Sequence, residues 1–250
     1  MSDSGWDEHA EWWIERFAEG DDLDYANQII PLAVSELAGA STVVDVGAGE
    51  GQLGRALADA HGCRVIGIDP TEQLVATAAA QGAIGVRAEA QRLPLADASV
   101  DGTLVALVLE HVDDLDAAVA EIARVTRPGG RFALFLNHPI IQTPGSGLID
   151  DHTIDPPEWY WRLGPYLVEH AGTEQVERGV HLRFVHRPLS RYVNELAEHG
   201  FVIERMVEPS PSAAFSGPHG EAAAYPRLMY LRCRRTADPR SFAPRGGSVG

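Results

Sequence analysis

Between Ser41 and Leu136, short apolar runs alternate with stretches of helical periodicity. Thr42–Val46, Arg64–Asp69, Ile84–Glu89, Gly102–Leu109 and Arg131–Leu136 are rich in Val, Ile and Leu without strict alternation. That pattern predicts parallel strands buried on both faces. Helices are predicted between them. Gln52–His61 is stopped by Gly62, and Thr71–Gln81 by Gly82. In Leu115–Arg127 the residues Leu115, Ala118, Val119, Ile122 and Val125 recur at helical spacing, and Pro128-Gly129-Gly130 should end the run. Strand–helix repetition of this kind implies right-handed crossovers. The expected class is therefore α/β, a Rossmann-like doubly wound sheet that is mostly parallel.

The flanks follow other patterns. Residues 1–40 predict N-terminal helices, Trp6–Phe17 and Tyr25–Leu37, the second kinked or divided at Pro31. The core domain is expected over 41–137. Residues 138–188 form an inserted cap, in which 138–180 show no clear strand but carry Trp159, Tyr160, Trp161 and Tyr166. Residues 189–235 should complete the sheet: a helix over Leu189–His199, then an antiparallel pair, Phe201–Glu208 with Leu228–Arg234. The link Pro209–Arg227 has the length and composition of a lid or binding loop. A disordered tail is expected over 236–250.

Composition removes several function classes. The 250-residue chain carries 20 basic and 36 acidic residues, a net charge of −16. That balance speaks against a nucleic-acid partner, which needs clustered positive charge. Every basic residue is Arg, so chemistry that depends on a lysine amine is excluded. Cys63 and Cys233 cannot build a disulfide framework or a CxxC metal pair. The amino-terminal segment is acidic, unlike a secretory signal, and no apolar run approaches the ~20 residues that span a bilayer. The expectation is a cytoplasmic protein with no membrane partner and no bound metal; its oligomeric state is not legible.

The sharpest feature is Val43-Val44-Asp45-Val46-Gly47-Ala48-Gly49-Glu50-Gly51-Gln52-Leu53, an apolar strand entering alternate glycines and then a helix. Such a loop lets a ligand approach the main chain at the carboxyl end of a sheet. Gly49–Gly54 matches the dinucleotide GxGxxG string, but it lags the strand by two residues. Asp45 would also repel a pyrophosphate, whereas it suits a ligand bearing an ammonium group. At the end of the second strand Asp69, followed by Pro70, can accept both hydroxyls of a ribose. After the third, Glu89 can accept from an adenine amine and the Ala90 N–H can donate to the ring.

With these residues the chain resembles the class I S-adenosylmethionine (SAM)-dependent methyltransferases, most closely the small-molecule methyltransferase type 11 group. The likeness rests on Val43–Gly51, Val65–Pro70, Ala88–Leu95, Val100–Val112 and Arg124–Phe132. It departs at Glu89, where the family more often has Asp, and at Glu110, where many members have His. The resemblance implies that Asp45, Gly47, Ala48, Gly49 and Gly51 surround the methionine part of SAM. Asp69 and Pro70 would lie at the ribose, and Glu89 and Ala90 at the adenine. Ala106 and Leu107 would face the amine and sulfonium, and Tyr25 would lie in helices folded over the cofactor. S-adenosylhomocysteine would be the product.

Methyl transfer from a sulfonium needs alignment and a dry site, and a base only for a protonated acceptor. His111 and His138 are the candidate catalytic residues. If the cap aromatics line the acceptor pocket, the partner is an apolar or aromatic small molecule. The expected function is transfer of a methyl group to O, N or C of a small-molecule acceptor. An NAD(P)-dependent oxidoreductase and a catalytically silent SAM-binding protein stay open as alternatives. The Asp150-Asp151-His152 and Asp155 group predicts a solvated loop, and His181 and His186 point to opposite faces of any strand that holds them.

Overall fold

A computed structural model describes residues 5–17, 25–212 and 224–237. Most of the Pro209–Arg227 link and most of the expected tail lie outside the described residues.

The chain begins with helix α1 (Trp6–Phe17). A π-helical turn at Tyr25–Ile29 then leads into α2 (Ile30–Glu36). The division expected at Pro31 falls there because proline, which has no N–H to donate, fits the first turn of α2. The repeating region follows as β1 (Thr42–Val46), α3 (Gln52–His61), β2 (Arg64–Asp69), α4 (Glu72–Ala80), β3 (Ile84–Arg87), β4 (Val100–Ala106), α5 (Leu115–Val125) and β5 (Thr126–Asn137). Asp114 caps α5 by accepting from the Ala117 N–H. The helix ends at Val125, and Pro128-Gly129-Gly130 lie inside β5 rather than serving as its stop.

The cap region differs from expectation. It contains β6 (Gly147–Asp151), β7 (Glu158–Arg162), β8 (His170–Glu177) and β9 (Val180–His186), paired as two antiparallel hairpins, β6 with β7 and β8 with β9. Strands β6, β7 and β8 bury no residue fully. No face of them selects apolar side chains, so the alternation that betrays a strand is missing. The chain closes with α6 (Leu189–Glu198), β10 (Phe201–Val207) and β11 (Leu228–Arg235).

The main sheet runs β10-β11-β5-β4-β1-β2-β3, parallel except that β11 is antiparallel to both its neighbours. Successive strand residues feed opposite layers. Val44, Val46, Ile68, Val105 and Leu134 pack on Val119 and Ile122 of α5 and Leu196 of α6. Val43, Leu104 and Ala133 pack on Ala33 and Leu37 from the α2 side and on Leu53 and Leu57 of α3. Burial on both faces explains the unbroken apolar runs, each large side chain contributing about 1.5–3 kcal/mol. The carboxyl ends of β1, β2 and β4 therefore open side by side, with α1 above them. No helix among the described residues is long and apolar enough to cross a membrane.

Candidate active site at the carboxyl edge of the sheet

The glycine loop after β1 turns through Gly47, Gly49 and Gly51, all in the left-handed region. Its amides are spent internally. The Gly47 and Ala48 N–H groups donate to the Ile68 carbonyl at 2.7 and 3.0 Å, and Gly51 N–H donates to Ala48 O at 2.9 Å. Gly49 N–H donates to Asp69 Oδ2 at 2.9 Å. Asp69 Oδ1 also accepts from the Thr71 N–H at 2.9 Å. A diphosphate laid on this loop would have to displace those bonds beside buried carboxylates.

A cleft lies over the loop. Of the residues singled out in the sequence, Tyr25, Gly47, Ala48, Gly49, Asp69, Pro70, Glu89, Ala90, Ala106, Leu107 and His111 line it. Asp45, Gly51 and His138 do not. Asp45 and Gly51 border a hollow beneath the loop, between α3 and α4. His138 is buried at the start of the segment after β5. Its Nε2 pairs with Glu208 Oε1 at 2.9 Å and its Nδ1 accepts from Ile140 N–H at 3.2 Å. Both ring nitrogens are engaged, and burial holds its pKa below the ordinary histidine value.

Trp159, Tyr160, Trp161 and Tyr166 are likewise absent from the cleft wall. Trp159 and Tyr160 are exposed on β7, and Tyr166 hydrogen-bonds through its hydroxyl to the Leu189 N–H. The aromatic wall comes from Trp6 and Trp13 of α1, which sequence reasoning left in a generic helix. They stand seven residues apart, two helical turns, on one face, and that spacing was the available signal. Trp13 Nε1 donates to Glu50 Oε2 at 2.9 Å, clasping the glycine loop.

The site is rich in neutralised or strained groups. Asp45 is 2% exposed, and its Oδ2 has no hydrogen-bond partner among the described residues. Burial, with Asp69 and Glu50 nearby, pushes its pKa up to about 7. Burial also raises Asp69, against the lowering effect of its amide donors. Leu107 holds a left-handed φ of 59°, which costs a non-glycine residue about 1–3 kcal/mol and is a mark of functional positions.

His111 follows β4 in a short 3₁₀ turn, Leu109–His111. Its Nδ1 lies 2.7 Å from the Arg183 carbonyl, so Nδ1 carries the proton and Nε2 is left with a lone pair. The ring stands edge-on to Trp6 at 5.3 Å and against Phe184 at 4.4 Å. Burial lowers its pKa to about 4. No arginine side chain lines the cleft among the described residues, and this neutral imidazole is the one basic ring there. On the far side of α5, Asp116, Glu195 and His199 gather, with Arg191 ion-paired to Glu195; this is a self-satisfied cluster away from the cleft.

An acid-rimmed cleft with no arginine on its wall among the described residues, at the carboxyl edge of a seven-stranded sheet, suits a nucleoside joined to an amino acid. The residues fit SAM. Asp69 and Glu89, on the cleft wall, are acceptors suited to ribose and adenine, while Asp45 lies beneath the loop. The comparisons agree. Residues 44–134 match the methyltransferase-domain family model. An uncharacterised methyltransferase of Mycobacterium bovis is 40% identical over 102 residues, covering 40% of this chain and 41% of that protein. The O-methyltransferase resE of Aspergillus sclerotiorum is 37% identical over 100 residues, covering 37% of this chain and 38% of its own. The match thus spans about two fifths of the length of these curated relatives. A SAM-dependent methyltransferase structure from Mesorhizobium loti superposes with a TM-score of 0.69 at 27% identity, over 82% of this chain and 96% of that one. Residues 44–134 are thus similar to a methyltransferase domain, and the fold is similar to that of a SAM-dependent methyltransferase.

Proposed function

We propose that this protein binds SAM in the cleft and moves its methyl group to the hydroxyl oxygen of a small, uncharged acceptor. The observation that carries this reading is His111: an imidazole on the cleft wall, held as the Nδ1–H tautomer by the Arg183 carbonyl, with no hydrogen bond at Nε2 among the described residues. SAM supplies an activated methyl on a positively charged sulfur. His111 accepts the hydroxyl proton at Nε2 as the oxygen becomes the nucleophile, and S-adenosylhomocysteine leaves. Its low pKa keeps it unprotonated through the neutral range. Trp6, Trp13 and Tyr25 exclude water. The lack of arginine on the wall, with Glu50, Asp69 and Glu89 present, disfavours anionic acceptors.

Asp69 and Pro70 serve the ribose, Glu89 and Ala90 the adenine, and Gly47, Ala48, Gly49, Ala106 and Leu107 the amino-acid end. Asp45 and Gly51 act from beneath the loop, and His138 positions the segment after β5. Residues 41–137 are the SAM-binding core, 1–40 cover it, 138–188 complete the acceptor side, and 189–235 complete the sheet. Two free, buried cysteines suit a reducing compartment, the cytoplasm.

The test is S-adenosylhomocysteine release from SAM with a panel of phenols, enols and amines. Uncharged hydroxyl acceptors should be turned over, and His111→Gln should lower kcat about 100-fold with little change in SAM affinity. Turnover of no acceptor, or undiminished turnover in His111→Gln, rejects the reading. Asp69→Ala should weaken SAM binding in calorimetry by about 1.5–3 kcal/mol, since it deletes bonds to a charged acceptor. Unchanged affinity would remove Asp69 from the nucleoside site.

A further inference from the structure

Arg187, in the turn between β9 and α6, is 3% exposed yet pairs with no carboxylate at close range among the described residues. Its guanidinium donates chiefly to main-chain oxygens, with the Tyr192 hydroxyl and the Glu110 carboxyl also beside it. Nη1 donates to the Leu109 carbonyl at 2.9 Å, and Nη2 donates to the Val112 and Asp113 carbonyls at 2.7 and 2.8 Å. Those three carbonyls bracket His111. The same β9 region grips the turn twice more. The Arg183 carbonyl takes the His111 Nδ1 proton, and the Arg183 guanidinium pairs with Asp113 Oδ1 at 2.9 Å. Beneath the turn Glu110, 3% exposed, accepts from the Asn137 main-chain and side-chain N–H groups at 3.2 and 3.0 Å.

We propose that Arg187 is a positioning residue: it clamps residues 109–113 so that the His111 ring is held in one tautomer with Nε2 turned to the cleft. The proposal rests on the reading of His111 as proton acceptor and deepens it. A buried arginine is a costly way to hold a turn unless its geometry is used. A planar fork with donors at fixed angles can hold three carbonyls in one plane of approach, whereas a lysine ammonium is a single mobile point. Without the clamp the outer side of the turn is held to β9 only by the His111–Arg183 carbonyl bond and the Arg183–Asp113 pair, with Glu110–Asn137 beneath it. The ring can then rotate or exchange tautomers, and a base displaced by ~1 Å forfeits much of its use. The groups facing His111 are the Trp6 and Phe184 rings and the Arg183 carbonyl; the charged groups on its own turn and in contact with it are Glu110, Asp113, Arg183 and Arg187.

The experiment is long-range ¹H–¹⁵N NMR of the histidine rings in the whole protein, assigned with His111→Gln, together with calorimetry using S-adenosylhomocysteine. The wild type should show His111 as the neutral Nδ1–H form at pH 7, with a titration midpoint near 4. Arg187→Met should yield a mixture of tautomers and move the midpoint up toward the ordinary ~6.5, with S-adenosylhomocysteine affinity within about twofold, ~0.4 kcal/mol. Glu110, its pKa raised by burial to about 7, can take up a proton beside the methionine, so the exchange need not strand a charge. Should Arg187→Met fail to fold, Arg187→Lys decides: it keeps the charge and loses the fork, and should show the same tautomer mixing to a smaller degree. A wild-type histidine spectrum in whichever folded variant is measured overturns the proposal. The outcome is separable from the reading it rests on, since the spectrum reports ring geometry whether or not His111→Gln retains turnover.

Discussion

Gly47→Ala is expected to destabilise the protein by about 2–5 kcal/mol and to abolish measurable SAM binding. Two costs add. The residue holds a φ of +74°, where an L side chain is strained by about 1–2 kcal/mol. A Cβ there would also overlap Val108 Cγ2 and stand 2.8 Å from Val108 Cγ1. Overpacking of that kind costs about 1–3 kcal/mol more, and it would drive the loops after β1 and β4 apart across the cleft. Thermal denaturation and calorimetry with S-adenosylhomocysteine measure both effects. The double variant Gly47→Ala with Val108→Ala separates them, recovering the steric part and leaving the backbone part. A Gly47→Ala protein with unchanged melting temperature and affinity would mean that the two loops do not meet as described.

The unliganded protein should lose stability as the pH rises from about 4 to about 7, and Asp45→Asn should remove much of that loss. The folded-state pKa of Asp45 is about 7 against an ordinary 3.8. Between those values the native state keeps a proton that the unfolded chain has released, so each rise in pH favours unfolding. The integrated effect is at most about 4 kcal/mol, since one pKa unit corresponds to about 1.36 kcal/mol. Glu110, raised to about 7 from 4.5, acts in the same direction, as does Asp69. His111 opposes them. Its pKa is lowered to about 4 from 6.5, so over that interval the unfolded chain holds the extra proton and rising pH favours folding. His138, also lowered, acts with His111. Asp45→Asn keeps the shape, ends the titration and should flatten the melting-temperature profile from about pH 4 to about pH 7. If wild type and variant have parallel profiles, Asp45 is not protonated in the folded apoprotein.

The strands and helices of the central repeat were readable because burial on both sheet faces forces continuous apolar runs, and because Gly62 and Gly82 end their helices where a left-handed residue is needed. The place of Asp69 and Glu89 on the cleft wall was readable because each is a polar residue at or just after the end of an apolar run. What escaped notice depends on distant partners. His111 owes its tautomer to a carbonyl 72 positions away, and His138 owes its orientation to Glu208, 70 positions away. Arg187 reaches Leu109 across 78 positions. No local pattern encodes such pairs. The aromatic cluster of 159–166 drew attention because indoles and phenols are rare and bulky, yet β7 presents Trp159 and Tyr160 outward, and the cleft takes its indoles from α1 instead. The hairpins β6–β7 and β8–β9 were invisible because exposed strands leave residue choice free.

Helix α1 is fastened by side chains at its borders. His9 accepts from the His181 N–H, Trp12 donates to Glu177, and Trp13 donates to Glu50. None of these anchors belongs to the seven-stranded sheet. Lifting α1 from the cleft would break these three bonds and leave every strand pairing of the sheet as it stands.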